Sequence, residues 1–276
     1  VFNLALSGYQ SMEKSRIAES FARLKNENRK GFIPFITAGD PDLPKTKDLL
    51  VMLARAGATV IELGVPFSDP MADGFVIQRA SERALKHDFG VRQILDLVRD
   101  ARREIDTPII LFSYFNPLLQ YGLEKLCRDA KEAGADGFLV TDLVPEEAGQ
   151  FSELLRQNGL DIIFLVAPTS SDERLRMAAE CASGFIYAVS RAGVTGVREQ
   201  TSQTAAGLVE RVRRFSDLPV AVGFGISTAA QVAETWKYAD AAVVGSAIVR
   251  EIERLGADEN LAEKIGEFVN NLLPRK

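Results

Sequence analysis

Asp161-Ile162-Ile163-Phe164-Leu165-Val166-Ala167 carries one charge at its start and only apolar residues after it, and its reading decides the architecture. A strand with one face in water alternates polar and apolar side chains. A strand that is apolar at successive positions is covered on both faces, as in a parallel sheet flanked by crossover helices. Ala241-Ala242-Val243-Val244 repeats the pattern. Outward from these two, short apolar runs recur at 31–38, 59–65, 108–114, 137–141, 185–190 and 219–223. The segments between them, 122–133 and 205–215 among them, place apolar residues three and four apart with charges between, as surface helices do. Eight strand–helix units without a linker predict an α/β fold, a single (βα)8 barrel spanning 12–276 with an extra N-terminal helix. An open, doubly wound sheet is the competing architecture, because alternation alone does not prove closure.

Composition narrows the functional classes. With 276 residues, 46% hydrophobic and 26% charged, the chain can bury a sizeable core. A net charge of −5 argues against a surface built for nucleic acid and leaves room for a local anion site. Cys127 and Cys181 stand far apart in helical patterns with no C-x-x-C pair, which points to neither a disulfide scaffold nor a zinc site. No run approaches the roughly 20 apolar residues that cross a bilayer, and the start lacks the regions of a signal peptide. A cytoplasmic location is expected. Residues 1–11 read as an N-terminal extension ahead of Met12.

In a (βα)8 barrel, chemistry sits where strands end and the loops to the helices begin. The second run places Glu62 inside Val60-Ile61-Glu62-Leu63-Gly64, a carboxylate in an apolar strand. Desolvation there would raise its pKa toward the range of a general acid or base; the competing reading is a carboxylate satisfied by a neighbouring donor. The loop Pro66-Phe67-Ser68-Asp69-Pro70-Met71-Ala72-Asp73-Gly74 adds two aspartates between stiffening prolines. Asp73 precedes an apolar helical run at 77–85, so an N-cap role competes with a catalytic one.

The last three strand ends are rich in glycine and hydroxyl residues: Gly193-Val194-Thr195-Gly196, Gly223-Phe224-Gly225-Ile226-Ser227 and Gly245-Ser246-Ala247. Glycine lets backbone N–H groups approach an anion, and a helix N-terminus favours it electrostatically. Together these ends predict a phosphate site, although any one of them alone could simply be a tight strand cap. Gly223-Phe224-Gly225 lacks the third glycine and acidic residue of a dinucleotide fingerprint. Residues 191–203, with Arg191 and Gly193 near the start, form a long polar stretch that predicts a mobile lid.

What is missing also constrains the chemistry. His87 is the sole histidine and falls beyond the helix after the second run, leaving no material for a His triad or a two-His metal site. No G-x-x-x-x-G-K-[ST] motif occurs. Lys30 and Lys47 fall outside the strand runs, which weakens a Schiff-base reading. Acid–base work by carboxylates is what remains.

From about Ile17 to Phe268 the sequence resembles the tryptophan synthase α-subunit family. The resemblance is carried by Phe35-Ile36-Thr37-Ala38-Gly39-Asp40-Pro41, by Glu62 through Pro70 with Ala72-Asp73-Gly74, by Ser190-Arg191-Ala192-Gly193-Val194-Thr195-Gly196 and by Gly223-Phe224-Gly225-Ile226-Ser227. It implies a retro-aldol carbon–carbon lyase that cleaves indole-3-glycerol phosphate to indole and glyceraldehyde 3-phosphate, with no metal or organic cofactor in this subunit. It further implies that Glu62 shuttles protons, and that Asp73 accepts a hydrogen bond from the indole N–H and stabilises charge on the ring. Phosphate would rest near Gly196, Gly225, Gly245 and Ser246. Tyr187, Phe224 and Tyr114 would wall the ring and glycerol, and Thr195 would help orient Asp73. The implied partner is a pyridoxal-phosphate β subunit in an α2β2 complex, docked near Asp69, Asn116 and Pro117. Phe75 departs from the family, which generally has proline there, and implies a looser Asp73 loop or a crowded site or partner face. A free-standing lyase and a weakly catalytic activator of the β chain are the alternatives.

Overall fold

The computed structural model describes residues 15–189, 198–223 and 225–274, without the side chains of 198–202. Its strands are β1 (Gly31–Thr37), β2 (Ile61–Gly64), β3 (Ile109–Ser113), β4 (Gly137–Val140), β5 (Asp161–Ile163), β6 (Leu165–Val166), β7 (Ile186–Val189), β8 (Val220–Gly223) and β9 (Ala241–Val244). They form one parallel sheet in the order β5-β4-β3-β2-β1-β9-β8-β7-β6. Both ends of that order belong to the fifth run of the sequence, broken at Phe164. On one side Gly137 pairs with Asp161. On the other, Leu165 pairs with Tyr187, whose N–H donates to the Phe164 carbonyl at 3.1 Å. One run bonded to both neighbours completes the ring, which is a barrel and not an open sheet.

Closure sorts the side chains. Ile36, Leu63, Leu111, Phe138, Ile162 and Val222 point outward into the core shared with the helices. Ile33, Val60, Ile110, Leu139, Ile163 and Phe185 fill the interior. The base is plugged by α1 (Arg16–Asn26), which contributes Ile17, Phe21 and Leu24 to that interior cluster. This segment is helical for local reasons: Ser15 caps it through the Ala18 N–H at 3.2 Å, Glu19 lies in its first turn, and Arg23 and Lys25 lie in its last. Arg16 then pairs with Asp136 at 2.9 Å. Asp136 also pairs with Arg102 and accepts the Ile109 N–H at 2.8 Å, which ties the plug to the start of β3.

The outer ring follows the expected alternation: α2 (Leu43–Arg55), α3 (Phe75–Ala84), α4 (Val91–Ala101), α5 (Phe115–Tyr121), α6 (Leu123–Ala133), α7 (Gly149–Gln157), α8 (Asp172–Cys181), α9 (Arg198–Val212), α10 (Ala229–Thr235), α11 (Ser246–Leu255) and α12 (Leu261–Leu272). One expectation needs correcting. The polar stretch 191–203 is not loop throughout, because α9 begins at Arg198. Its first residues lack an apolar stripe, but arginine, glutamate and glutamine are good helix formers. Arg191 and Gly193 lie outside the described residues, as do 1–11. Among the described residues no helix is long and apolar enough to cross a membrane. His87 is exposed and approaches the Pro41 carbonyl, 2.7 Å from Nε2.

Phe21 and Phe185 meet with ring centroids 5.8 Å apart at the base, far along the interior from the strand ends. Phe185→Ala is expected to cost about 3–5 kcal/mol of unfolding free energy, read from urea denaturation; a loss below about 1 kcal/mol would mean that the plug does not close the barrel.

Candidate active site

Inward and outward positions alternate along β2, so Val60 faces the interior, Ile61 and Leu63 face the helices, and Glu62 falls on the inward side. Glu62 is 1% exposed, and its Oε1 has no hydrogen-bond partner. Its neighbours in register are Phe35 and Ile110. Burial alone pushes its carboxyl well above the usual range, because a charge there has no water to solvate it. The satisfied-carboxylate reading therefore does not hold for Oε1. Tyr187, half-buried on β7, has its phenol pushed well above the usual range, mainly by burial and further by the Glu62 carboxylate. A Cβ at Gly223 would lie 2.8 Å from Val243 Cβ and collide with the Tyr187 hydroxyl, so only glycine leaves that hydroxyl its place.

Two features of this pocket escaped the sequence reading. Phe35 and Phe112 meet edge to face at 5.1 Å and form an aromatic wall beside Glu62. Thr37, 2% exposed and paired with Gly64 in register, has an unpartnered buried Oγ1. The available signal was a hydroxyl in an apolar strand, the same signal that singled out Glu62.

Asp73 is not a helix cap. The N-cap of α3 is Gly74, with no side-chain cap, and the Asp73 loop is met instead by the Tyr114 hydroxyl. That hydroxyl in turn accepts the Ala72 N–H at 2.9 Å. Gln78, also missed in the sequence, donates its amide to the Asp73 carbonyl at 2.9 Å and braces the loop from α3. Burial pushes the Asp73 carboxyl up to about 6 against the pull of Tyr114, and burial with the Asp73 charge pushes the Tyr114 phenol up to about 12. Tyr114, expected as a wall of the pocket, is thus also a clamp. Phe75 opens α3 with its ring 81% exposed, so it points away from the buried pocket, and the loop is held by Tyr114 and Gln78 despite the missing proline.

Beyond the end of β8, Gly225 has φ +75°, a conformation that side chains with a Cβ disfavour. Gly245 is the N-cap of α11 and Ser246 its first residue, with no side-chain cap over the free N–H groups of that turn. Gly196, Thr195 and Phe224 lie outside the described residues. Asp69 and Asn116 are exposed and Pro117 is half-buried. Around them stand exposed Met71, Phe75 and Leu119, three large apolar side chains on one rim.

The sequence profile of the family "Tryptophan synthase alpha chain" matches residues 21–273. The tryptophan synthase alpha chain of Geobacter sulfurreducens is 50% identical over 258 residues, which cover 94% of this chain and 97% of that protein. That of Caulobacter sp. is 51% identical over 256 residues, 92% and 93% of the two chains. Among solved structures, tryptophan synthase subunit alpha from Legionella pneumophila matches with a TM-score of 0.87 at 39% identity, covering 94% of this chain and 97% of that one. A structure of the tryptophan synthase α2β2 complex from Pyrococcus furiosus contains a chain that matches with a TM-score of 0.82 at 42% identity, covering 88% and 97%.

The raised Asp73 pKa has a stability consequence of fixed sign. Its folded value of about 6 exceeds the ordinary 3.8, so the folded state binds the proton more tightly. The resulting stabilisation is complete below about 3.8 and is lost as pH rises through 6. Asp73→Asn, which never ionises, is expected to be more stable than the parent by about 1–2 kcal/mol above pH 7, a figure reduced for partial solvent access, and equal to it near pH 3.5. Denaturant titrations at the two pH values check this.

Proposed function

Because this chain belongs to the tryptophan synthase alpha chain family, it is a lyase subunit that cleaves indole-3-glycerol phosphate to indole and glyceraldehyde 3-phosphate, and we propose that Glu62 and Asp73 divide the proton work of that reaction. The observation that carries this division is the buried Glu62, facing the barrel interior with Oε1 unbonded. Burial pushes its carboxyl toward the protonated form, which suits it to begin as an acid. It gives its proton to indole C3, which disrupts the pyrrole ring and places positive charge on the ring nitrogen. The bond from C3 to the side chain then breaks as the side-chain hydroxyl becomes an aldehyde, and the hydroxyl proton returns to Glu62. The net change is one proton moved from oxygen to carbon, which needs no metal or organic cofactor from this chain.

Asp73 has the opposite task and must be ionised, accepting from the ring N–H as its charge grows. Its carboxyl, pushed up to about 6, ionises below neutral pH, whereas burial drives that of Glu62 toward the neutral form. Two carboxyls on one strand and its loop are thus biased toward different protonation states because their solvation differs. Phe35, Phe112 and Tyr187 supply apolar surface for the indole ring. The phosphate takes the ends of β8 and β9, at Gly225, Gly245 and Ser246, where free N–H groups of the first turn of α11 receive it. Gly196, Phe224 and Thr195 complete the proposed binding site, with Arg191 and Gly193 on the lid.

A β subunit of tryptophan synthase is the proposed partner. The Pyrococcus furiosus relative is an α2β2 complex, and here Met71 (93% exposed) and Phe75 (81%) flank Asp69 on the rim that also carries Asn116, Pro117 and Leu119. A cytoplasmic location suits this role.

Release of glyceraldehyde 3-phosphate from indole-3-glycerol phosphate, followed in a coupled assay, tests the assignment. Glu62→Gln is expected to lower kcat by about 10²–10⁴-fold while the fold and substrate binding persist; a variant keeping most of its turnover removes Glu62 from the mechanism. Stimulation by an added β subunit supports the complex, and fast release without stimulation favours a free-standing lyase. Ser246→Glu is expected to raise KM about tenfold or more by like-charge repulsion, and unchanged KM would move the phosphate elsewhere.

A further inference from the structure

Ion pairs hold α3 and α11 side by side. Arg79 and Arg83 lie four residues apart on one face of α3. Both reach Glu253, about two turns along α11 from Ser246. Arg79 donates from Nε and Nη2 to the two Glu253 oxygens, each at 2.7 Å, and Arg83 donates from Nη1 to Oε1 at 2.7 Å. The Nε and Nη2 of Arg83 go to Asp40, one to each carboxylate oxygen and both at 2.8 Å. Asp40 follows closely after β1 and is 2% exposed, so this end of the network is fixed to the barrel. Apolar packing backs the ions. Ala80 of α3 and Val249 of α11, both fully buried, meet Phe35 in one small cluster with Val76 and Ile77. Phe35 is in register with Glu62, and a Cβ built on Gly245 would lie 3.4 Å from the Phe35 Cβ. The two helices therefore rest on the aromatic wall of the pocket. Asp73 and Gly74 lead into α3, while Gly245 and Ser246 open α11. Gln78 carries the position of α3 to the loop through its bond to the Asp73 carbonyl.

We propose that Glu253 is a positioning residue that sets the spacing between Asp73 and the phosphate-binding turn of α11, so that a substrate gripped by its phosphate delivers its ring nitrogen to Asp73. The inference rests on the roles given above to Asp73, Gly245 and Ser246. The ring and the phosphate of the substrate are joined by a short chain. A ligand that must satisfy two sites at once binds and reacts best when the sites already stand at the right separation. A misplacement of about 1 Å can cost on the order of 100-fold in rate. Holding that separation needs a directional link between the two helices. The packing of Ala80 and Val249 is not directional, whereas a two-pronged arginine–carboxylate pair is. Glu253 is the carboxylate that both arginines of α3 share, and it stands on the helix whose first turn receives the phosphate. Through Arg83 and Asp40 the same network is referred to the end of β1, so α3 and α11 are placed against the barrel as well as against each other.

The test is Glu253→Gln, which keeps the shape of the side chain and removes the charge that both arginines share. Turnover of indole-3-glycerol phosphate by the full chain gives kcat, KM and the inhibition constant of inorganic phosphate, a probe that occupies one end of the site only. We expect kcat/KM to fall about tenfold or more, with the phosphate constant changed less than about twofold. The thermal unfolding midpoint should drop by less than about 4 °C, as suits ion pairs with solvent access. Binding of the same substrate to the Glu62→Gln chain, which barely consumes it, should weaken by a similar factor. In a chain that also carries Asp73→Asn, Glu253→Gln should change that binding less than about twofold, because no second site remains to be spaced. An unchanged kcat/KM, a phosphate constant that weakens in proportion, or an equal effect with and without Asp73 overturns the proposal. If Asp73→Asn alone turns over like the parent, or Ser246→Glu leaves KM and the phosphate constant unchanged, the site reading above fails, a result distinct from these. Should Glu253→Gln prove unstable, Arg79→Gln at an exposed position removes the two bonds from Arg79 and keeps those of Arg83. It is expected to show the same pattern with a smaller loss, and full activity there would overturn the proposal.

Discussion

Closing a parallel sheet on itself leaves every second side chain with no water to face, and the rest of this molecule follows from that constraint. The fifth run, bonded to β4 before Phe164 and to β7 at and after it, makes the ring. Alternate positions of each strand are then committed to an enclosed interior that must be filled with apolar groups or with polar groups that have a use. Ile33, Val60, Ile110 and Leu139 fill it, with α1 sealing the base. Glu62 is the carboxylate in register with them, and its cost is tolerated at the end of the barrel where a ligand can approach.

The same burial acts with different force on the two carboxyls. Glu62 is enclosed, has an oxygen without a partner, and is driven toward its neutral form. Asp73 sits on a loop and keeps some contact with solvent, and burial pushes it up to about 6. In the proposed mechanism one functional group thus serves as proton donor at the first position and as negative charge at the second, separated by solvation. The segment that carries Asp73 also presents Met71 and Phe75 outward, so the proposed partner face and the proposed substrate-facing carboxylate share one short segment.

Much of this was legible along the chain because it depends on near neighbours. Unbroken apolar runs announced parallel strands, their number announced a barrel, and a lone glutamate in an apolar strand announced itself as costly. Local pattern failed where competing local rules were equally good. Asp73 had the spacing of a helix cap, yet Gly74 takes that position. The stretch after Gly196 had the polarity of a loop, yet α9 starts at Arg198, because helix propensity needs no apolar stripe.

By itself, then, the sequence determined the alternation of strands and helices, the α/β class with its parallel strands, the carboxylates available for chemistry and the glycine-rich ends suited to an anion, all properties of period and residue type. The tertiary structure alone decided that the ring closes, that Glu62 points inward without a partner, that Phe35 meets Phe112, and that Tyr114 reaches the Asp73 loop from 42 residues away. These are matters of register and curvature: the residues that meet across a barrel mouth are set by how neighbouring strands slide and twist against one another, which no local stretch of chain encodes.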